Sequence, residues 1–143
     1  MLKVVHDPRH LAHDTSALTI HGQPFFEVPA RAEILRTALT ESGWCSLIGP
    51  EAHGRGPLEA VHPPEYLDFL ASISEAGAPF RHTLGAAPVL GDTFAPPDAR
   101  FRSSHPWAQL GRFTFDIEVP FYPGTWVAVS ASVECALTAA DLV

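Results

Sequence analysis

The sequence predicts an incomplete α/β fold built around a parallel sheet, with a long loop-rich insertion before its last helix. Three observations lead there. A short run with two valines, residues 2–6, opens the chain, and Asp7-Pro8 stops it. A helical pattern and a second short apolar run follow, in the strand–helix–strand order that suits a parallel pair. Only those two runs read as credible strands in 143 residues, whereas a parallel sheet needs neighbours and cover. The chain therefore reads as the front part of something larger.

Taken in order, residues 8–29 show no clear period, carry His10, His13 and His21, and read as a long loop. Residues 30–42 form the first helix. Pro29 presets φ for entry, Ile34, Leu35, Ala38 and Leu39 make an apolar stripe, and Gly43 is the C-cap. Phe25 and Phe26 precede it with two readings open: a hydrophobic staple onto the helix, or the lining of a pocket. Residues 44–48 are the second strand, ended by Gly49-Pro50, and residues 53–57 are a turn.

Pro63-Pro64 opens a second helix over residues 64–75. Tyr66, Leu67, Leu70 and Ile73 or Ser74 keep a helical period, and Gly77 stands at C′. Residues 78–124 then form a proline-rich insertion without a convincing helix. Loops this long inside compact domains are functional or disordered. Phe94, Trp107, Phe113, Phe115, Phe121 and Tyr122, with Phe80 and Phe101, argue against disorder and for packing on the same domain or a partner. Thr125 caps a last helix that runs to Val143, with Trp126, Val129, Val133, Leu137 and Ala140 on one face.

Composition excludes several function classes. Formal net charge is −7, with no basic block, so nucleic acid is not an expected partner. An acidic field mildly favours a cationic small molecule, although an acidic protein needs no substrate to explain its charge. Cys45 and Cys135 lie far apart without CxxC spacing, which argues against a disulfide framework and a zinc ribbon. The N-terminus turns polar too soon for a signal peptide, and no apolar run approaches the roughly 20 residues that span a bilayer. Cytoplasmic location is the default expectation, with no membrane partner.

Local motifs supply no complete active site. His10 and His13 stand three apart beside Asp14, but a third ligand at diagnostic spacing is missing, so no metal site is assigned there. His62 reads as a cap for the helix after Pro63. Ser103-Ser104-His105 lacks a triad context, and there is no glycine-rich phosphate loop, GxSxG or HExxH.

Four segments together carry a resemblance. They are Phe26-Glu27-Val28-Pro29-Ala30-Arg31-Ala32-Glu33, Val61-His62-Pro63-Pro64-Glu65-Tyr66-Leu67-Asp68-Phe69-Leu70, Gln109-Leu110-Gly111, and Pro123-Gly124-Thr125-Trp126. In this order and spacing they resemble the N-terminal portion of the acetylpolyamine amidohydrolases, zinc-dependent members of the histone deacetylase superfamily with an arginase-like α/β fold. The resemblance covers residues 1–143 as the N-terminal portion of a deacetylase domain.

It implies roles at three positions. Phe26 matches an aromatic that borders the substrate tunnel, where an alkyl chain gains by burying methylenes. Arg31 matches an arginine that lines an internal channel behind the active site. Glu118, with Asp116 beside it, matches an acid of the insertion that meets the distal ammonium of a small cationic acetylated amine. The insertion, about 78–124, is implied to build a homodimer. The family's paired histidines, Asp-x-His and transition-state tyrosine fall downstream. The resemblance therefore assigns no catalytic and no metal residue to this chain, and zinc is expected only for the complete enzyme. Three outcomes are weighed: a fragment inactive alone, a non-catalytic dimerisation or regulatory module binding a full-length deacetylase chain, and a small histidine-containing metal binder. The open sheet also implies a poorly folded or oligomeric isolated chain.

Overall fold

A computed structural model describes residues 1–75, 87–96, 99–100 and 102–143. The chain divides into two compact units, Met1–Pro57 with Val127–Val143, and Leu58–Trp126.

The first unit holds the parallel pair. Strands β1 (Leu2–Val5) and β4 (Cys45–Ile48) pair in parallel with Leu2 opposite Cys45 and Val5 opposite Ile48. The ladder continues at both ends, through Leu2 N–H to the Trp44 carbonyl at 3.1 Å and His6 N–H to the Ile48 carbonyl at 2.9 Å. Those two bonds explain why the runs read one residue longer in the sequence. The crossover helix α1 (Ala30–Glu41) starts after Pro29 and stops at Gly43, whose φ of +72° is the left-handed turn that glycine adopts without strain. Its expected apolar stripe is not a core face. Ile34 and Leu35 are 68% and 64% exposed, and no residue of α1 is buried.

The expected loop over 8–29 contains structure that its sequence concealed. A 3₁₀ helix spans Pro8–Ala12, capped by Asp7, whose side chain accepts the Arg9 N–H. A two-residue hairpin follows, β2 (Thr19–Ile20) against β3 (Gln23–Pro24). Its turn residues His21 and Gly22 both take positive φ, +52° and +77°, the mirror-image turn that matches strand twist. Thr15, fully buried, donates its hydroxyl to the Glu27 carbonyl at 2.5 Å and pins the loop that leads into α1.

Within the second unit, α2 (Gly56–Glu59) replaces part of the expected turn and runs into it from the first. Helix α3 (Pro64–Ile73) carries the expected period and buries Leu67, Phe69 and Ile73. Gly77 lies outside the described residues, as do Phe80 and Phe101. The insertion, expected to lack helix, contains α4 (Pro106–Phe113). Pro106 fits the first turn, where its missing N–H has no partner to lose, and Leu110 is fully buried. The helix was masked in the sequence by Gly111, which reads as a breaker. The glycine is there for clearance: a Cβ at Gly111 would stand 2.5 Å from the Thr93 carbonyl oxygen.

Phe69, Ile73, Val89, Leu110 and Phe121 form one buried apolar cluster, with Tyr66, Leu70 and Phe113 packed around it. Val89 and Phe121 exchange both backbone hydrogen bonds at 2.9 Å in an isolated antiparallel bridge. Phe69 meets Phe121 edge-on at 5.7 Å and Phe113 at 5.1 Å. Phe113 and Phe121 of the insertion thus pack on their own unit, one of the two expected outcomes, whereas Phe115 and Trp107 stay exposed.

Helix α5 (Thr125–Asp141) closes the chain. Thr125 is its first residue, and its hydroxyl accepts the Tyr122 N–H at 2.8 Å. The helix is most buried at Thr125, Ala128, Ala131 and Thr138. The expected face of Trp126, Val129, Val133 and Leu137 is only half-buried, and Ala140 is exposed. Thr138 accounts for part of the difference, because its hydroxyl accepts the Glu51 N–H at 2.8 Å and lies 3.1 Å from His53 Nε2.

Candidate functional site

The residues singled out from the sequence fall in both units, Phe26 and Arg31 in the first, Glu118 in the second. Phe26 is 71% exposed and stacks on Phe25 at 5.8 Å and 24°. That exposure rules out Phe26 as a staple onto α1. Arg31 sits in the first turn of α1, and its Nη1 pairs with Glu27 Oε1 at 2.5 Å, an i,i+4 contact with both side chains more than half exposed. Glu27 thus ties the aromatic loop to the arginine across the helix start. Such an exposed pair contributes little stability, so conformation rather than energy is what it fixes.

Glu118 is exposed, and its N–H donates to Asp116 Oδ1 at 2.8 Å, which turns the loop after α4. Asp116 lies on the wall of a cleft of about 410 Å³, lined by His62, Tyr66, Phe113, Phe115, Val119 and Phe121 among others. Each wall has a local cause. Tyr66 and His62 meet at 5.5 Å where α3 begins, and Tyr66 meets Phe113 at 5.6 Å where α4 ends. His62 does not cap α3: the N-cap is Pro63, and no side-chain hydrogen bond closes that end. Arg112 lies 4.6 Å above the Phe113 ring and donates to Glu65 at 3.3 Å. The result is an aromatic cleft with one carboxylate and one guanidinium on it. It can take an apolar chain by burial, about 0.8 kcal/mol per methylene, and a cationic end against aromatic faces or Asp116.

A second grouping was not legible from spacing. His10, paired in sequence with His13 and Asp14, instead converges with His6 and Glu33. Among the described residues this is the group of three with metal-ligand atoms close enough to share an ion. Hydrogen bonds from the Ser16 side chain and from the Ser16 N–H, the latter at 2.9 Å, hold the Asp14 carboxyl below the ordinary range. Burial pushes the His13 imidazole below its usual pKa. A strand end, a 3₁₀ turn and a helix supply the convergent trio, so no sequence motif could announce it.

No protein-family model matches the chain. It does match curated proteins from end to end. Acetylpolyamine amidohydrolase 1 of Pseudomonas aeruginosa is 34% identical over 148 positions, covering 99% of this chain and 41% of that protein. The acetylpolyamine amidohydrolase of Mycoplana ramosa is 28% identical, covering 99% of this chain and 42% of that protein. Among solved structures, an acetylpolyamine aminohydrolase from Burkholderia pseudomallei superposes with a TM-score of 0.81 at 27% identity, over 99% of this chain and 41% of that one. The chain spans about two-fifths of the length of the curated relatives it matches. In sequence and in fold it is related to the acetylpolyamine amidohydrolases, as a partial form of their parallel-sheet α/β architecture.

Proposed function

We propose that this chain is the N-terminal, substrate-facing portion of a deacetylase that hydrolyses the N-acetyl amide of a polyamine or an acetyl-lysine-like amine, and that it does not turn substrate over alone. The observation that carries this reading is the end-to-end match to proteins named acetylpolyamine amidohydrolases, of which the chain spans 41% in the 34%-identical case. In this reading Phe26 borders the passage of the alkyl chain, and its large exposed ring suits that task. Arg31 serves the internal channel, which requires its guanidinium to leave Glu27. Glu118 and Asp116 form an acidic rim for the distal ammonium, a charge-assisted acceptor pair on one turn.

The zinc that polarises the acetyl carbonyl in such enzymes has no matching donor set here. The sequence contains neither adjacent histidines nor an Asp-x-His, and no step is assigned through that ion. Two free thiols, Cys45 and Cys135, suit a reducing, cytoplasmic setting. No helix among the described residues is long and apolar enough to cross a membrane.

A second reading is favoured by exposed apolar side chains on the insertion: Phe115 at 84%, Trp107 at 50% and Val119 at 43%. In it, the chain is a dimerisation module for a second copy or for a full-length deacetylase. Assay of the purified chain on an N-acetylated diamine separates the readings from a complete enzyme. No hydrolysis is expected, and stoichiometric turnover-competent enzyme would overturn the proposal. Light scattering then tests the module reading, which requires a dimer and is lost if only monomer is found.

A further inference from the structure

The first unit contains three side chains that the deacetylase reading leaves unused. His6 follows β1, His10 sits on the 3₁₀ turn, and Glu33 lies in the first turn of α1. One ligand atom from each lies within 4.8 Å of the others. Glu33 Oε1 stands 3.5 Å from His6 Nε2 and 3.4 Å from His10 Nε2. The two imidazoles meet edge to face at 5.3 Å. Both Nε2 atoms are sealed from solvent and make no hydrogen bond.

Two sealed, unpartnered imidazole nitrogens facing one carboxylate oxygen need an explanation, because buried polar atoms without partners are costly. The partner of the other His10 nitrogen narrows it. His10 Nδ1 lies 2.8 Å from the Asp7 carbonyl oxygen, which can only accept. Nδ1 therefore carries the proton, and in the neutral ring Nε2 is a bare lone pair. That lone pair points into a space shared with a second imidazole nitrogen and with an oxygen of an anion. Electron-rich atoms converge there, and something positive belongs between them. A proton on either Nε2 would have to be directed along a hydrogen bond, and neither Nε2 makes one. A metal ion has no such requirement.

The distances fit such an ion. Zinc bound at about 2.0–2.1 Å to imidazole nitrogen and carboxylate oxygen holds neighbouring tetrahedral ligand atoms about 3.3–3.4 Å apart. The two carboxylate–imidazole separations are 3.4 and 3.5 Å. The supports are those of a ligand set. Arg36 Nε donates to Glu33 Oε2 at 2.8 Å, leaving Oε1 for the histidines. That same hydrogen bond holds the Glu33 carboxyl below the ordinary range, so it is ionised at neutral pH. The Asp7 carbonyl fixes the His10 tautomer, and the Asp7 side chain is itself held by Arg9 Nε at 2.8 Å.

We propose that His6, His10 and Glu33 form a mononuclear site for a divalent transition-metal ion of the zinc class, with water in the fourth position. Two imidazoles and one carboxylate suit zinc, cobalt or nickel, whereas magnesium and calcium select all-oxygen sites. The site lies in the described part of this chain and needs no other chain to complete it, so its test is independent of the deacetylase reading.

The experiment is titration of the metal-stripped 143-residue protein with Zn²⁺ against a chromophoric chelator, with Co²⁺ as the spectroscopic probe. One equivalent is expected to bind, and Co²⁺ should give the intense visible bands of a four-coordinate ion, displaced by Zn²⁺. His6→Gln, His10→Gln and Glu33→Gln should each weaken binding by about 10-fold or more. His13→Gln should leave it unchanged. Far-UV circular dichroism establishes that each variant is folded, and Glu33→Gln, which keeps side-chain size at a half-buried position of the first turn of α1, serves if a histidine variant is not. Three results would overturn the site: a folded protein that binds no equivalent, affinity unchanged by His6→Gln and Glu33→Gln, or a thiolate-to-Co²⁺ charge-transfer band that assigns the ion to Cys45 or Cys135.

Discussion

The two units are held together by different means. In the second, Leu58–Trp126, a cluster of five buried apolar residues, Phe69, Ile73, Val89, Leu110 and Phe121, supplies a core of its own. In the first, β1 and β4 pair only with each other among the described strands, their residues are at most half-buried, and α1 buries nothing. What ties that unit is largely polar: Arg9 bridges Asp7 and Glu134, and Thr138 receives the Glu51 N–H. The loop-rich insertion is therefore the better packed region, and the regular strand–helix–strand region is the open one. Regular secondary structure does not by itself make a core. A parallel pair acquires one only when further strands and helices cover it.

The largest expected effect lies in the aromatic cluster. Phe121→Ala or Phe69→Ala should cost about 3–5 kcal/mol, read from denaturant unfolding by the fluorescence of Trp107 and Trp126. Ile34→Ala and Leu35→Ala should stay within about 0.5 kcal/mol, read from Trp44. Equal losses in both places would erase the contrast. Next is Gly111→Ala, where the added methyl meets the Thr93 carbonyl oxygen, and a loss of about 1–3 kcal/mol is expected because backbone on one side cannot yield.

In the first unit Thr138→Ala removes the acceptor for the Glu51 N–H, and about 1–2 kcal/mol should be lost there. The polar ties also predict how acid acts. Burial lowers the His13 pKa, so the unfolded chain takes up a proton first, and stability should begin to fall as pH drops below about 6.5. Asp7 is held below its ordinary value by the hydrogen bond from Arg9. Its contribution is present above about pH 4 and is lost as pH falls further, through the folded value. Trp44 fluorescence followed against pH should therefore change before that of Trp107 and Trp126. The smallest effect belongs to Arg31→Ala, which should leave the melting midpoint unchanged, since its partner Glu27 is 61% exposed.

Much of this organisation was legible in the sequence. The strands around residues 2–6 and 44–48, the proline-started helices at 30 and 64, and the Pro-Gly-Thr-Trp entry to the last helix all declare themselves through local chemistry. The hairpin at His21-Gly22 did not, because histidine at positive φ is uncommon and two-residue strands leave no period to read. Helix α4 was hidden by a glycine chosen for a backbone approach made in three dimensions. The site residues divided the same way. Phe26, Arg31 and Glu118 could be picked out by resemblance, but the Arg31–Glu27 pair and the Asp116 cleft required the fold. His6 and Glu33 sit 27 positions apart and join His10 only when the crossover helix returns beside the first strand.

Hydrogen exchange, resolved by segment in the native chain, tests most directly the claim that this is a partial α/β fold with a self-sufficient insertion and an uncovered sheet. The account predicts slow exchange for α3 and α4 and fast exchange for β1, β4 and α1. Protection of β1 and β4 equal to that of α3 would contradict it.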